Sequence, residues 1–459
     1  MGGAGGANVP SGESMRRSAL LVVGVWAAML GDIAVTAAQD SDDKLKLRVE
    51  KIDEKLAKAL AELATKYSED SDVEAAHFFA ECFRGLGKKD DKIHAIWLDW
   101  ELKVYLGKEQ GGKPLEKAAP IGQKLASING DYKKVLEELL ALAKKERRSM
   151  SETEAKLFRE CAVKYELTRG AQDYIKTIKR INELRRAMGL RGVLWDFENS
   201  AKMILASACW ADVLDTLGSV TEKNKESAFY SEDSLKLATE SAAAGYRDIG
   251  EWAEYLRGFA LSRSPLLNPN SRRLWLGHWK RFDGFTAVSA FQIPQLPYRE
   301  DIPTPSQRHD RGTITKDWID TEETFEAGGK KFPLARYPHD GETNLPWYFG
   351  MVGAKGTEGG WSKEEHEFTK TAGLPIMLRF FGAAKLGDME AKLTTKSGKD
   401  VACRTYTNGN ERVPGIGEWP TVLLVPEGEL EKGATYTVSI RAKVNGSAFE
   451  KTWCFTTRK

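Results

Sequence analysis

The sequence predicts a multidomain chain with a helical N-terminal region, an α/β middle and an all-β C-terminal sandwich. Three observations carry that prediction. Apolar residues recur at helical spacing from residue 41 to about 165, mixed helix and strand patterns begin near Thr168, and short alternating segments close the chain around an Asn445-Gly446 turn. A length of 459 residues accommodates about three domains of ordinary size. The hydrophobic fraction of 41% and aromatic fraction of 10% suffice for packed cores rather than a disordered chain.

The N-terminus reads as an export signal, over residues 1–38. Arg16-Arg17 form a positive leading segment, Ser18–Leu30 is apolar, and Thr36, Ala37 and Ala38 offer a small-residue cleavage site before Gln39. Met15 is a candidate start, since the residues before it form a Gly-rich extension. The apolar run is short for a membrane span, so a cleaved signal is expected over an uncleaved anchor. The paired arginines also fit a twin-arginine route. An exported protein (periplasmic, cell-surface or secreted) is the expectation.

Residues 39–167 are expected to form a helical bundle or stalk. Leu45, Val49, Ile52, Leu56, Ala59 and Leu63 alternate in steps of four and three, a seam that offers a route to self-association. Helices are expected over Val73–Leu86, Ile93–Leu106 and Tyr132–Glu146, and another begins at Ser151, where Glu154 completes a capping box. Lys+Arg 68 against Asp+Glu 66 leaves a net charge of +2, so no global field favours nucleic acid or acidic substrates. The runs Lys144–Arg148 and Arg180–Arg186 read as solvated helix faces.

Residues 168–298 change pattern. Tyr174, Ile178, Ile181, Arg185 and Met188 share a helix face ended by Gly189; a strand at 192–196 and a helix from Ser200 to Leu217 follow. Arg273–Phe291 alternates as a hairpin turned at Asp283-Gly284. Residues 299–331, rich in Pro and charge, read as a linker or lid. From 332 to 459, strands are expected at Leu374–Phe381, Glu390–Thr395, Thr421–Val425, Thr435–Val444 and Phe449–Thr457.

Several ordered motifs in the middle segment resemble the CAP superfamily (SCP-like, cysteine-rich secretory) domain of bacterial type. Asn182, Arg185, Gly189 and Leu190 match an Asn-x-x-Arg-x-x-x-Gly-Leu helix ending, and Leu194-Trp195-Asp196 the Leu-x-x-Asp step after it. Phe229–Asp233 resembles a Tyr-Thr-x-Glu-Gly loop, and Ala238–Ser241 the segment that supplies a second acid. Ser262–Pro269 resembles His-Arg-x-Pro-Leu-Leu-x-Pro, with Ser262 in the place of the histidine. The resemblance covers about 130 residues and implies an α-β-α sandwich. Downstream, Tyr337–Pro346 and the closing Trp453–Thr457 resemble the opening and closing strands of a bacterial Ig-like β-sandwich.

The resemblance implies a cleft of two histidines and two acids. Residues 168–277 contain no histidine. The first family histidine falls on Trp210, or on Cys209 if the alignment slips by one, and the second on Ser262. The acids fall on Glu232 or Asp233, and on Glu240. Without imidazole a transition-metal site is poorly supplied, so no metal and no cofactor are expected. Ser262 has Arg263 beside it but no base, and no Gly-x-Ser-x-Gly elbow exists, which argues against a serine hydrolase. His278 reads as a strand residue and His339 as part of a turn. Three functions remain. The first is non-catalytic recognition of an extracellular or envelope partner through Trp210, Glu232, Asp233, Glu240, Ser262 and Arg263. The second is apolar ligand (lipid or sterol) binding beside Trp195 and Trp210. The third is hydrolysis of peptides or other substrates by Glu232, Asp233 or Glu240 with a bound water.

Five cysteines lack Cys-x-x-Cys spacing, which excludes a zinc ribbon. Their odd number leaves at least one thiol, and Cys403 with Cys454 is a candidate pair in an oxidising space.

Overall fold

The computed structural model describes residues 43–106, 119–146, 149–187, 190–214, 217–241, 243–245, 249, 273–281, 287–292, 323–345, 347, 373–381, 385–407 and 420–459. Among them, helices fill the N-terminal half and mostly antiparallel sheets the C-terminal half. The expected export signal at 1–38 and the segment Ser262–Pro269 lie outside the described residues.

Helix α1 spans residues 43–69 and buries Leu45, Val49, Ile52, Leu56, Ala59 and Leu63. It lies against α4 (Ala119–Glu146), where Arg48 pairs with Glu138 at 2.6 Å and the Tyr132 hydroxyl donates to Asp53 Oδ1 at 2.5 Å. The seam residues belong to the chain's main hydrophobic core. Helix α4 starts thirteen residues before the expected Tyr132. Ile121, Leu125 and Ile128 extend the buried stripe of Tyr132, Val135, Leu136 and Leu139, and Gly122 and Gly130 sit where a side chain would meet only open space. A solvent-facing glycine weakens a helix by about 1 kcal/mol and does not end it.

Helices α2 (Val73–Gly85) and α3 (Asp91–Leu106) form a pair, and α5 runs from Glu152 to Ala187. The capping box is formed: Ser151 N donates to Glu154 Oε2 at 2.7 Å and Glu154 N to Ser151 Oγ at 3.2 Å. Replacing Ser151 by Ala is expected to lower stability by about 1 kcal/mol, read as a reduced melting temperature. Helix α5 passes through Thr168 without a break, so the change of pattern there is a change of packing partner and not of backbone.

A four-stranded sheet follows, ordered β1-β3-β4-β2, from β1 (Leu194–Trp195), β2 (Ala243–Gly245), β3 (Arg273–Lys280) and β4 (Ala287–Gln292). Strands β3 and β4 pair antiparallel, as the alternation leads one to expect, and β1 pairs parallel to β3; the expected Asp283-Gly284 turn lies outside the described residues. Helix α6 (Phe197–Val213) is capped by Asp196, whose Oδ1 accepts from Asn199 N at 2.9 Å. It packs on β3 and β4, with Met203, Ile204 and Trp210 buried, and α7 (Glu232–Ser241) packs against it.

The C-terminal sheets each have five strands. One is ordered β10-β9-β13-β14-β7, from β7 (Glu342–Leu345), β9 (Leu386–Thr395), β10 (Asp400–Val401), β13 (Thr435–Val444) and β14 (Ser447–Thr457). The other is ordered β11-β12-β8-β6-β5, from β5 (Glu323–Ala327), β6 (Lys330–Tyr337), β8 (Ile376–Phe380), β11 (Cys403–Thr407) and β12 (Thr421–Pro426). They meet through Phe325 and Phe380 of one and Phe449 of the other, with ring centroids 5.0 and 4.9 Å apart. Asn445 and Gly446, at φ 50° and 84°, make the expected tight turn between β13 and β14.

Two expectations are corrected here. The 299–331 linker contains a strand: β5 pairs with β6 across Gly328-Gly329, whose φ values of 59° and 75° suit a two-residue hairpin turn. All five cysteines are free thiols; Cys403 and Cys454 lie on strands of different sheets and do not pair.

Candidate functional site

The motif residues of the middle segment hold the turn between α5 and β1. Asn182 is fully buried: its Oδ1 accepts from Val193 N at 2.7 Å, and its Nδ2 donates to Val193 O at 3.2 Å and to Glu74 Oε1 at 2.8 Å. Arg185 is also buried and donates from Nε to the Arg191 carbonyl at 2.7 Å. Two side chains one helical turn apart thus fix the backbone that enters β1 and α6.

Helix α6 places Trp210 in the core, with no exposed surface, and its Nε1 donates to the Ser219 carbonyl at 2.9 Å. Its neighbour Cys209 is equally buried and directs its Sγ to the Asn224 carbonyl at 3.6 Å. Burial pushes the Cys209 thiol up to about 11, beyond what hydrogen bonding with Ser227 and Asn224 offsets, so it is not a nucleophile at neutral pH. Glu232 and Asp233 are exposed on the first turn of α7, and Glu240 lies on its last. Ser262 and Arg263 lie outside the described residues. Trp195 is buried, its ring centroid 4.6 Å from that of Phe78 and 6.1 Å from that of Phe197.

The described histidines are occupied otherwise. His278 Nδ1 is 2.9 Å from Ser289 Oγ between paired strands, and His339 Nδ1 is 2.9 Å from the Asp340 carbonyl in the turn before β7. Among the described residues, no group of three or more His, Cys, Asp or Glu side chains is arranged to hold a metal.

A buried polar junction lies where the helical region meets the sheet, in residues that the sequence did not single out. Glu101 of α3 is fully buried and receives both Nη atoms of Arg273, at 2.8 and 3.2 Å, and the Nε2 of His77 at 3.2 Å. Burial alone raises this carboxyl, but His77 and Arg273 outweigh it and hold it below its usual value. Nearby in the chain, Asp72 pairs with Lys179 at 2.6 Å, and Glu74 lies 3.5 Å from Arg186 as well as bonding Asn182. For Glu74 burial wins over Arg186, Asn182 and Lys179, and its carboxyl is raised. The signal was available as charges at apolar-face positions (Glu74 and His77 within α2, Glu101 between Trp97 and Val104), but their partners stand far away in sequence.

Comparison with known proteins adds little to this geometry. No protein-family model matches the chain, and no curated protein matches it. Two solved structures are similar over 30% of this chain. CopC from Methylosinus trichosporium OB3b is matched over 94% of its length at 16% identity with a TM-score of 0.17. A DUF4426 family protein from Pseudomonas aeruginosa PAO1 is matched over 97% of its length at 9% identity with a TM-score of 0.18. At such TM-scores neither likeness bears on function.

Proposed function

We propose that this is an exported multidomain protein whose CAP-like α/β unit, lacking the histidines of the family site, is a non-catalytic recognition module for an extracellular or cell-envelope partner. The observation that carries this reading is Trp210. The position that aligns with the first family histidine holds an indole with no exposed surface, its only N–H donated to a backbone carbonyl. If the alignment slips to Cys209, the thiol there is equally buried. Support also comes from Asn182 and Arg185, motif residues engaged in holding backbone, and from the exposed acids Glu232 and Asp233, which face water on α7. The C-terminal β-sandwich, read as Ig-like, and the helical region would present and brace that module.

The test uses the mature chain from Gln39 onward. Expected results are no hydrolysis of casein or fluorogenic peptides with or without added Zn²⁺, and co-sedimentation with isolated cell envelopes that weakens when Glu232 and Asp233 are replaced by Lys. Zinc-dependent turnover would overturn the reading, as would failure to leave the cytoplasm on fractionation. Trp210→His is expected to lower stability by about 3 kcal/mol, through loss of a buried indole, without conferring zinc binding.

A further inference from the structure

Helices α1 and α4 share one seven-residue pattern. The buried seam of α1 from Leu45 to Leu63 has a counterpart on α4 at Ile121, Leu125, Ile128, Tyr132, Val135 and Leu139, again in alternating steps of four and three. That alternation is the seam of a coiled coil. A charged side chain precedes every second seam position: Arg48, Lys55 and Glu62 on α1, and Lys124, Asp131 and Glu138 on α4. These charges meet across the two helices. Arg48 lies 2.6 Å from Glu138, Lys55 lies 3.3 Å from Asp131, and Glu62 is in contact with Lys124. The pairs rise along α1 by sevens as they descend α4 by sevens, so the helices run antiparallel in one register and each of these rungs joins opposite charges.

All three rungs are partly exposed, and a pair of that kind stabilises a fold little by itself. Its leverage lies in what a wrong pairing costs. Sliding α4 by one heptad, roughly 10 Å along the axis, keeps the apolar seam matched but not the charges. One direction sets Glu62 on Asp131 and Arg48 on Lys145; the other sets Lys55 on Lys124. A second copy of α1 fits no better, because the antiparallel register that sets Arg48 on Glu62 also sets Lys55 on its own counterpart. An independent contact marks the same register. Tyr132, fully buried in the α4 seam, donates its hydroxyl to Asp53 Oδ1 at 2.5 Å, and Asp53 Oδ2 receives the Lys164 ammonium of α5 at 2.7 Å. A polar group at a single seam position specifies register, since a slide strands it away from its partner.

We propose that the charge ladder selects α4 as the partner of α1 and fixes their register, with Tyr132 and Asp53 as its buried checkpoint. The apolar seam supplies the attraction; the charges choose among the pairings that the seam alone would accept.

Charge inversion in the full chain tests this, with urea unfolding followed by helical circular dichroism. Arg48→Glu, Lys55→Glu and Glu62→Lys together invert α1; Lys124→Glu, Asp131→Lys and Glu138→Lys invert α4. Either inversion alone is expected to lower the folding equilibrium constant by roughly tenfold or more in low salt, because three attractions become three repulsions. The combined inversion is expected to return it to within about threefold of the wild type, and about 1 M NaCl should shrink the loss in each single inversion. Rescue is also expected rung by rung: Asp131→Lys repairs Lys55→Glu, and Glu138→Lys does not. Three results would overturn the proposal: single inversions as stable as the wild type, a combined variant that loses the sum of both, or equal repair of Lys55→Glu by Glu138→Lys. If a single inversion does not fold, recovery in the combined variant decides alone.

Discussion

Gly277→Ala is expected to lower stability by about 3 kcal/mol, at the top of the usual range for overpacking a core. A Cβ at this position of β3 would stand 2.1 Å from the Met203 carbonyl carbon and 2.4 Å from Ile204 N. Both are backbone atoms in the middle of α6, so no rotamer change relieves the clash. The helix must lift from the sheet, and with it go Met203, Ile204 and Trp210, all fully buried. The backbone of Gly277 is not left-handed, so the requirement is purely one of space. Guanidinium unfolding should show a lower midpoint with an unchanged slope. The matched control is Gly130→Ala in α4, where an added Cβ meets nothing within 4 Å. That change is expected to be neutral or to stabilise by up to about 1 kcal/mol, as alanine does in an exposed helix interior. Equal losses at both sites would mean that α6 does not approach β3 as closely as described.

The contrast between these glycines shows what the sequence could convey. Local signals were legible wherever neighbours in sequence decide the structure. Ser151 with Glu154 started a helix, Asn445-Gly446 turned a hairpin, and the alternation of Arg273–Phe291 gave a strand pair. Gly328-Gly329 turn β5 into β6 inside what composition presents as a linker. Gly122 and Gly130 lie inside α4. The same letter therefore means turn, helix interior or close approach, and only the atoms facing the missing Cβ distinguish them. At the candidate site, burial was not legible. Trp210 reads equally well as a cleft residue or a core residue until its indole N–H is seen bonded to Ser219 O. The ionic junction was hidden for a different reason: Arg273 stands 172 residues from Glu101, and no periodicity links them.

That junction sets the second large effect. Glu101→Ala is expected to cost about 3–5 kcal/mol, the usual penalty for leaving the partners of a buried ion pair uncompensated. The loss falls on buried His77 and partly buried Arg273, which no longer have this carboxylate between them. The double variant Glu101→Leu with Arg273→Met should therefore recover most of it, since it removes the stranded charge and keeps the volume. The acid limb of the stability curve separates this carboxyl from Glu74. Glu101 is held below its usual value, so its contribution is fully present above the unfolded carboxylate pKa of about 4.3 and is lost as pH falls through the lower folded value. Glu74 is raised by burial, so the folded state takes up its proton first, and stability from this group increases as pH falls toward the unfolded value. Urea unfolding between pH 7 and pH 3 should show a shallow gain followed by a drop. Glu74→Gln should remove the gain and Glu101→Gln the drop; an unchanged acid limb in Glu101→Gln would place the acid sensitivity in other carboxylates and leave this junction out of it.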